Sequence, residues 1–265
     1  GDVAAQLDLA DEYYKRGNHA KAFEWTTKAA NQGFADAQFG LGVLYHNGHG
    51  VSQDYQKAVE WITKAANQGH AAAQTNLGLM YEQGKGVRQD YQKAFEWTTK
   101  AANQGYADAQ NNLGVMYDNG QGVRQDYQKA VEWYTKAAHQ GDAGAQYNLG
   151  GMYAKGHGVS QDYQKAFEWT TKAANQGFAD AQFNLALMYV NGHGVRQDYQ
   201  RAVEWYTKAA NQGIADAQFN LALMYVNGHG VRQNKSTAKR YFGQACDNGY
   251  QSGCDHYRIL NEQGY

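Results

Sequence analysis

The sequence predicts an all-α protein, an α/α solenoid of helix-loop-helix units, and three observations carry that prediction. The first is a fixed period of 36 residues. Trp recurs at Trp25, Trp61, Trp97, Trp133, Trp169 and Trp205, with Tyr241 in the seventh slot. Gly recurs in the same step from Gly33 to Gly249, and Tyr from Tyr45 to Tyr225. A period of roughly 20–50 residues marks a solenoid, a propeller or an array. The second observation is the helical spacing of apolar residues inside each period. The third is punctuation: Gly breaks each period at fixed places, and the 265 residues contain no Pro. Repetition is strictest in "NQGFADAQFNLALMYVNGHGVRQ" (175–197) and "NQGIADAQFNLALMYVNGHGVRQ" (211–233), which differ only at Phe178 and Ile214.

The chain reads as one solenoid domain, 1–265, with a short first unit at 3–33, repeats over 34–249 and a capping helix at 250–265. In the first unit Tyr13 and Ala22 are nine positions apart, against thirteen from Tyr45 to Ala58, so its internal loop is shorter by four. The copy at 69–103 stands for the interior. Gly69 ends the preceding helix, as Gly does where φ is positive. In "AAAQTNLGLMYEQ" the residues Ala73, Leu77, Met80 and Tyr81 form one apolar stripe. "GKGV" at 84–87 breaks that helix, and Asp90 is a good N-cap for the next. "YQKAFEWTTKAA" places Ala94, Trp97 and Ala101 on a second stripe. Glu96 and Lys100 stand at i, i+4 in the favourable order, worth roughly 0.2–0.5 kcal/mol. Small residues at Gly78, Ala94 and Ala101 let helices approach closely, and Trp97 and Tyr81 supply bulk. The Trp column is read as core rather than as a sugar-binding platform. No unit buries its stripe alone, so stacking must make one continuous core. "QSGCDHYRILNEQ" carries His256 and Arg258 where other copies have small or amide side chains, and reads as a polar cap. The expectation is seven helix pairs and one terminal helix, fifteen helices in all.

Composition narrows the function classes. Hydrophobic residues make up 43%, enough to bury apolar surface. A net charge of −1 gives no electrostatic reason to expect nucleic acid or an anionic membrane. No apolar run approaches the roughly 18 residues of a membrane span. The sequence starts at Gly1 with no initiating Met and no signal peptide, which leaves a processed or a trimmed start open.

The repeated pattern "ADAQxxLGxMYxxGxGVxxDYxKAxEWYxKAA" resembles the Sel-one-like repeat (SLR) family, a relative of the tetratricopeptide repeat with a longer internal loop. The match covers about residues 3–262 and recurs in every unit; the short first unit is closer to a plain tetratricopeptide unit. The resemblance implies a right-handed α-solenoid used as a protein-interaction scaffold. It also implies a bacterial protein that is periplasmic or secreted, with a cytoplasmic place left open.

Residues suited to catalysis are scattered. Ser occurs only at Ser52, Ser160, Ser236 and Ser252, near helix boundaries or loops, and no G-x-S-x-G, P-loop or H-E-x-x-H stretch occurs. His49, His157, His193 and His229 share one loop column, interrupted by Lys85 and Gln121. Neighbouring repeats hold such His too far apart for one zinc ion, whose Zn–N bonds are about 2.0–2.1 Å. They are expected to be solvated. The Glu column (Glu60, Glu96, Glu132, Glu168, Glu204) interleaved with Lys reads as a solvated helix face. The Asn column (Asn76, Asn112, Asn148, Asn184, Asn220) sits beside the core stripe and is expected to hydrogen-bond backbone or neighbouring helices. No catalytic residue, metal site or cofactor is expected, and the protein is not expected to be an enzyme.

Two cysteines, Cys246 and Cys254, fall in the last unit, with Gly249 and Gly253 between them. Two helices meeting at that turn could bring the Cα atoms within the roughly 4.4–6.8 Å a disulfide needs. Cysteine-rich members of the resembled family share this C-x7-C spacing. A Cys246–Cys254 disulfide would imply an oxidising compartment; two reduced, partly buried thiols are the alternative.

Variation between units concentrates on one face of the first helix. One column reads Phe39, Thr75, Asn111, Tyr147, Phe183, Phe219; a second Val43, Leu79, Val115, Gly151, Leu187, Leu223; a third His46, Glu82, Asp118, Ala154, Val190, Val226. In tetratricopeptide units the equivalent face lines the concave surface. The expected ligand-binding groove is therefore Phe39, His46, Glu82, Asp118, Tyr147, Phe183, Leu187, Val190, Phe219, Leu223 and Val226. It is polar or acidic in the first half and apolar in the second. The expected partner is a protein or peptide with an apolar segment against Phe183 and Phe219 and a basic stretch toward Glu82 and Asp118, or a second copy through the groove. Nucleic acid and membrane insertion are not expected. Competing readings are a structural spacer without a groove ligand, and an envelope enzyme or glycan-binding protein.

Overall fold

The structure is a computed structural model that describes residues 2–265. The described residues form fifteen helices and no strand. The chain divides into two compact units, Gly1–Ala137 and Ala138–Tyr265. The first contains α1 (Val3–Lys15), α2 (His19–Ala30), α3 (Ala35–Asn47), α4 (Tyr55–Asn67), α5 (Ala71–Gln83), α6 (Tyr91–Asn103) and α7 (Ala107–Asn119). Helix α8 (Tyr127–His139) ends it. The second contains α9 (Ala143–Lys155), α10 (Tyr163–Asn175), α11 (Ala179–Asn191), α12 (Tyr199–Asn211), α13 (Ala215–Asn227), α14 (Lys235–Asp247) and α15 (Gln251–Glu262). Within each unit consecutive helices pack on one another in chain order, the arrangement of an α-solenoid. The link α1–α2 is residues 16–18, whereas α3–α4 is joined by residues 48–54, the shortening expected at the first unit.

Local signals set the helix ends. Asp90 accepts the Lys93 N–H at 3.0 Å, and Asp54 and Asp162 accept the N–H of Lys57 and Lys165 at the same distance. Each bond satisfies one of the free N–H groups of a helix start. Helix α5 stops at Gly84, whose φ of +66° only Gly adopts without strain. Two residues on, Gly86 has a second role. A Cβ there would fall 2.2 Å from the Tyr55 carbonyl oxygen, so Gly is required for the loop to lie on the start of α4. An added Cβ on Gly50, Gly122, Gly194 or Gly230 would likewise strike a carbonyl of the preceding repeat, so in these loops the G-x-G is a helix stop followed by a docking point.

The core stripe lies where the spacing puts it. Ala73, Leu77, Ala94, Ala101 and Met80 are buried, and Tyr81 packs half-buried beside them. Gly78 is a contact point, since a Cβ on it would meet Thr98 Oγ1 at 2.5 Å and the Ala94 carbonyl at 3.2 Å. Trp97 packs against this cluster. It and the other Trp of its column are half-buried, and each carries a Lys three residues on over its ring, at 3.7 Å for Lys64 on Trp61 and 4.2 Å for Lys100 on Trp97. The Glu96–Lys100 ion pair does not form; among the described residues of this column Lys28 alone reaches its Glu, Glu24 at 2.7 Å, while it also lies over Trp25.

Glutamines tie repeat to repeat. Gln104 Nε2 donates to the Gly69 carbonyl at 2.9 Å and to Gln74 Oε1 at 2.8 Å, while Gln74 Nε2 donates to the Ala66 carbonyl at 3.1 Å. The same clasp recurs at Gln68 with Gln38 and at Gln212 with Gln182. At the end of the chain Asn248 replaces it, donating to Gln218. Gln74 is 5% exposed, so these bonds satisfy buried amides as well as setting register.

The cysteines are joined: Cys246 and Cys254 form a disulfide with Cα atoms 4.6 Å apart. Helix α15 is less polar than expected. Tyr257 and Ile259 are exposed, and His256 is half-buried with its ring 4.8 Å from that of Phe242. Arg258 faces water beside Asp255, 3.8 Å away.

Candidate functional site

The variable columns of the first helices define the candidate site, and each unit carries its own stretch of it. All eleven expected groove residues are half-buried, neither sealed in the core nor free in water. In the first unit Phe39 lies with its ring 4.9 Å from that of His70. Phe39 also lines a pocket of about 320 Å³ between α1, α2 and α3, together with Leu7, Tyr14, Thr26 and Val43. His46 Nδ1 is 2.9 Å from Asn47 Oδ1, and its ring meets Tyr55 edge-on at 5.0 Å. Asp118 Oδ2 accepts the Tyr134 hydroxyl at 3.3 Å. Glu82 has no ion-pair partner among the described residues, and burial pushes its carboxyl above the ordinary value of 4.5.

In the second unit the same columns are apolar and continuous. Tyr147, Phe183, Leu187, Val190, Phe219, Leu223 and Val226 all pack against one buried cluster. Tyr147 accepts a hydrogen bond from Asn184 Nδ2 at 3.2 Å and its ring lies tilted 5.3 Å from that of Phe178; burial raises its hydroxyl pKa. The Phe183 ring is 5.9 Å from Tyr206. Phe219 is held on three sides, 4.8 Å from Tyr250, 5.2 Å from His256 and 5.4 Å from Phe242. Phe183 and Phe219 therefore act partly as lateral packing, and substituting them disturbs the scaffold as well as the face. Leu187, Val190, Leu223 and Val226 have no such ring clusters.

Other sequence expectations were partly redirected. Asn76 donates to the Ala72 carbonyl at 2.9 Å, Asn220 to the Tyr206 hydroxyl at 3.3 Å, and Asn184 as above, so this column bonds as expected. The loop His are stacked rather than merely solvated: His193 lies over Tyr163 at 4.5 Å and His229 over Tyr199 at 5.0 Å. No group of three or more His, Cys, Asp or Glu suited to a metal ion occurs among the described residues. No helix of the described residues is long and apolar enough to cross a membrane.

One further column, outside the first helices, also varies between repeats. It lies on the second helices and runs Thr26, Ile62, Thr98, Tyr134, Thr170, Tyr206, Phe242. Four members face a Gly in mid first helix: Ile62 on Gly42, Thr98 on Gly78, Tyr134 on Gly114, Thr170 on Gly150. Where it is large the space beneath the variable face is filled. Where it is Thr26 or Thr170 a pocket opens, the second being about 220 Å³ in the second unit.

Stacked helix pairs with recurring glutamine clasps and a variable first-helix face define an α-solenoid repeat protein. More particularly, the chain belongs to the Sel1 repeat family, whose repeat matches seven times, at residues 3–34, 35–70, 71–106, 107–142, 143–178, 179–214 and 215–250. No curated protein matches. Among solved structures, a protective antigen of uropathogenic Escherichia coli displaying an SLR fold is 37% identical over 100% of this chain, with a TM-score of 0.88. This chain spans 58% of that protein's length. A Sel1 repeat protein from Oxalobacter formigenes is 35% identical, with a TM-score of 0.84, over 98% of this chain and 76% of its own. A Sel1 repeat protein from Klebsiella pneumoniae is 26% identical, with a TM-score of 0.51, over 77% of this chain and 99% of its own.

Proposed function

We propose that this chain is a protein-interaction scaffold that takes a polypeptide segment along the variable face of its first helices. The observation that carries the reading is the apolar row of the second unit. Side chains from Tyr147 to Val226 stay half-buried on the first-helix face, where the repeats differ. Apolar surface left in a contiguous row marks a docking face. The half-buried Glu82 and Asp118 of the first unit suit a basic stretch of the partner. The disulfide and the bacterial relatives favour a periplasmic or secreted setting. Displayed random peptides panned on the protein test the reading. Enriched peptides should be apolar, and Leu223→Asp with Val226→Asp should weaken them at least tenfold with little change in Tm. No enrichment, or an unaltered affinity, rejects the groove.

A further inference from the structure

We propose that the slot between α9, α10 and α11 is a receptor pocket for one tyrosine side chain of a partner polypeptide, a reading that rests on the scaffold function above. The repeat before this slot and the repeat after it fill the equivalent place themselves. At the same second-helix position these carry Tyr134 and Tyr206, which are 1% and 2% exposed. Tyr134 lies directly on Gly114, whose added Cβ would come within 2.6 Å of its ring carbons, and donates its hydroxyl to Asp118. Tyr206 accepts a hydrogen bond from Asn220, and burial raises its pKa to about 12. In two repeats, then, the chain supplies its own phenol to this place.

In the repeat between them the phenol is missing, and its surroundings have been emptied too. Thr170 stands in the tyrosine position, against a retained Gly150. Gly151 takes the place of Val115 and Leu187, and a Cβ built on it meets no atom within 4 Å. Ala154 takes the place of Asp118 and Val190. Loss of bulk at three columns in one repeat leaves the pocket of about 220 Å³. That is below the roughly 300–1,000 Å³ of small-molecule sites, and suits a single side chain.

The chemistry of the walls selects the occupant. Met188, Leu187 and Ala166 give apolar contact, and the stacked Tyr163–His193 pair forms one side. No Asp, Glu, Lys or Arg lines the pocket, so a charged side chain would be desolvated there without compensation. Asn184 occupies the position from which Asn220 bonds the Tyr206 hydroxyl. Its Nδ2 is engaged by Tyr147, while its Oδ1 has no partner among the described residues and can accept a phenol O–H. A neutral aromatic ring with one hydroxyl meets each of these conditions, and the adjoining Leu187 and Val190 continue the apolar face for residues flanking it.

The test titrates the protein with the capped tripeptide Gly-Tyr-Gly, with Gly-Ala-Gly and with p-cresol, reading amide shifts by NMR. Gly-Tyr-Gly should move Gly150, Gly151, Ala154 and Leu187, with Gly-Ala-Gly silent. Thr170→Tyr, which copies the two flanking repeats, should keep the fold and reduce binding at least tenfold. Gly151→Val with Ala154→Val, restoring flanking bulk by another route, should do the same and covers any failure of the first variant to fold. Shifts unaltered by both variants, or equal shifts from Gly-Ala-Gly, overturn the pocket. Binding of p-cresol as tight as that of the tripeptide overturns a polypeptide as its source. The two readings separate cleanly. Displayed peptides lost on Leu223→Asp with Val226→Asp, but with no tyrosine titration, reject the pocket alone. A tyrosine titration without enriched peptides rejects the groove alone.

Discussion

The two compact units share a scaffold and differ in what they present. In the first, Gln68 and Gln104 clasp Gln38 and Gln74; in the second, Gln176 and Gln212 clasp Gln146 and Gln182 at the same 2.8 Å. Gly78 meets Thr98 as Gly150 meets Thr170. Yet the third variable column reads His46, Glu82, Asp118 in the first unit and Ala154, Val190, Val226 in the second. Duplication fixed the joints, because each joint is satisfied by contacts with its neighbours on both sides. The first-helix face makes fewer such contacts and so was free to become polar in one half and apolar in the other. The disulfide adds a second asymmetry, since only the last helix pair has it.

The shared scaffold can be broken first. Gly78→Leu and Gly150→Leu should each cost about 3 kcal/mol, the upper end of overpacking, because a backbone carbonyl that cannot rotate away lies within 3.3 Å of each added Cβ. Chemical denaturation measures both, and a difference of more than about 1 kcal/mol between them would mean that the two units do not share one joint. Next, Cys246→Ser with Cys254→Ser should lower stability by about 2–3 kcal/mol, the chain-entropy value for so short a loop. Hydrogen exchange should rise in α14 and α15 and stay unchanged before Ala138; a uniform rise would make the bridge a support for the whole chain.

The smallest effect concerns Glu82. Its native pKa lies above the unfolded value near 4.5, so the folded state binds more protons in the window between the two. Stability therefore falls as pH rises through that window and stays lower above it. Glu82→Gln should remove this slope and raise Tm by a degree or so at pH 7, an effect kept small by partial solvation. Val190→Gln, at the equivalent place in the second unit, should give no such gain and should flatten no slope. An undiminished slope in the Glu82 variant would assign it to another carboxyl.

Much of this was readable from the chain. Asp90 and Gly84 announce their helix ends because capping depends on a few adjacent residues. Ala73, Leu77 and Met80 announce the core because 3.6-residue periodicity survives in one dimension. The sequence allowed the disulfide, since two helices meet at the turn between Cys246 and Cys254, but left two free thiols as the alternative; the structure joins them. The Trp column packs against the core as its bulk suggests, but only half-buried, and the sequence does not show that Lys100 lies over the Trp97 ring. The glutamine clasp was visible as an unvarying letter in "ADAQ" and "NQG", but its partners are thirty positions apart.

By itself the sequence determined the repeat, the helices, their caps and the face on which the copies differ, because each of these is set by neighbours within one or two turns. Whether that face is filled or open was decided only by the tertiary structure. The pocket at Thr170 exists because α9 carries only Gly151 and Ala154, α10 carries Thr170 where the flanking repeats have Tyr, and α11 sets Leu187 and Asn184 alongside. Each substitution is unremarkable alone, and only packing of three helices places the missing volumes in one space, since close-packed interiors leave such room only where several neighbours shrink together.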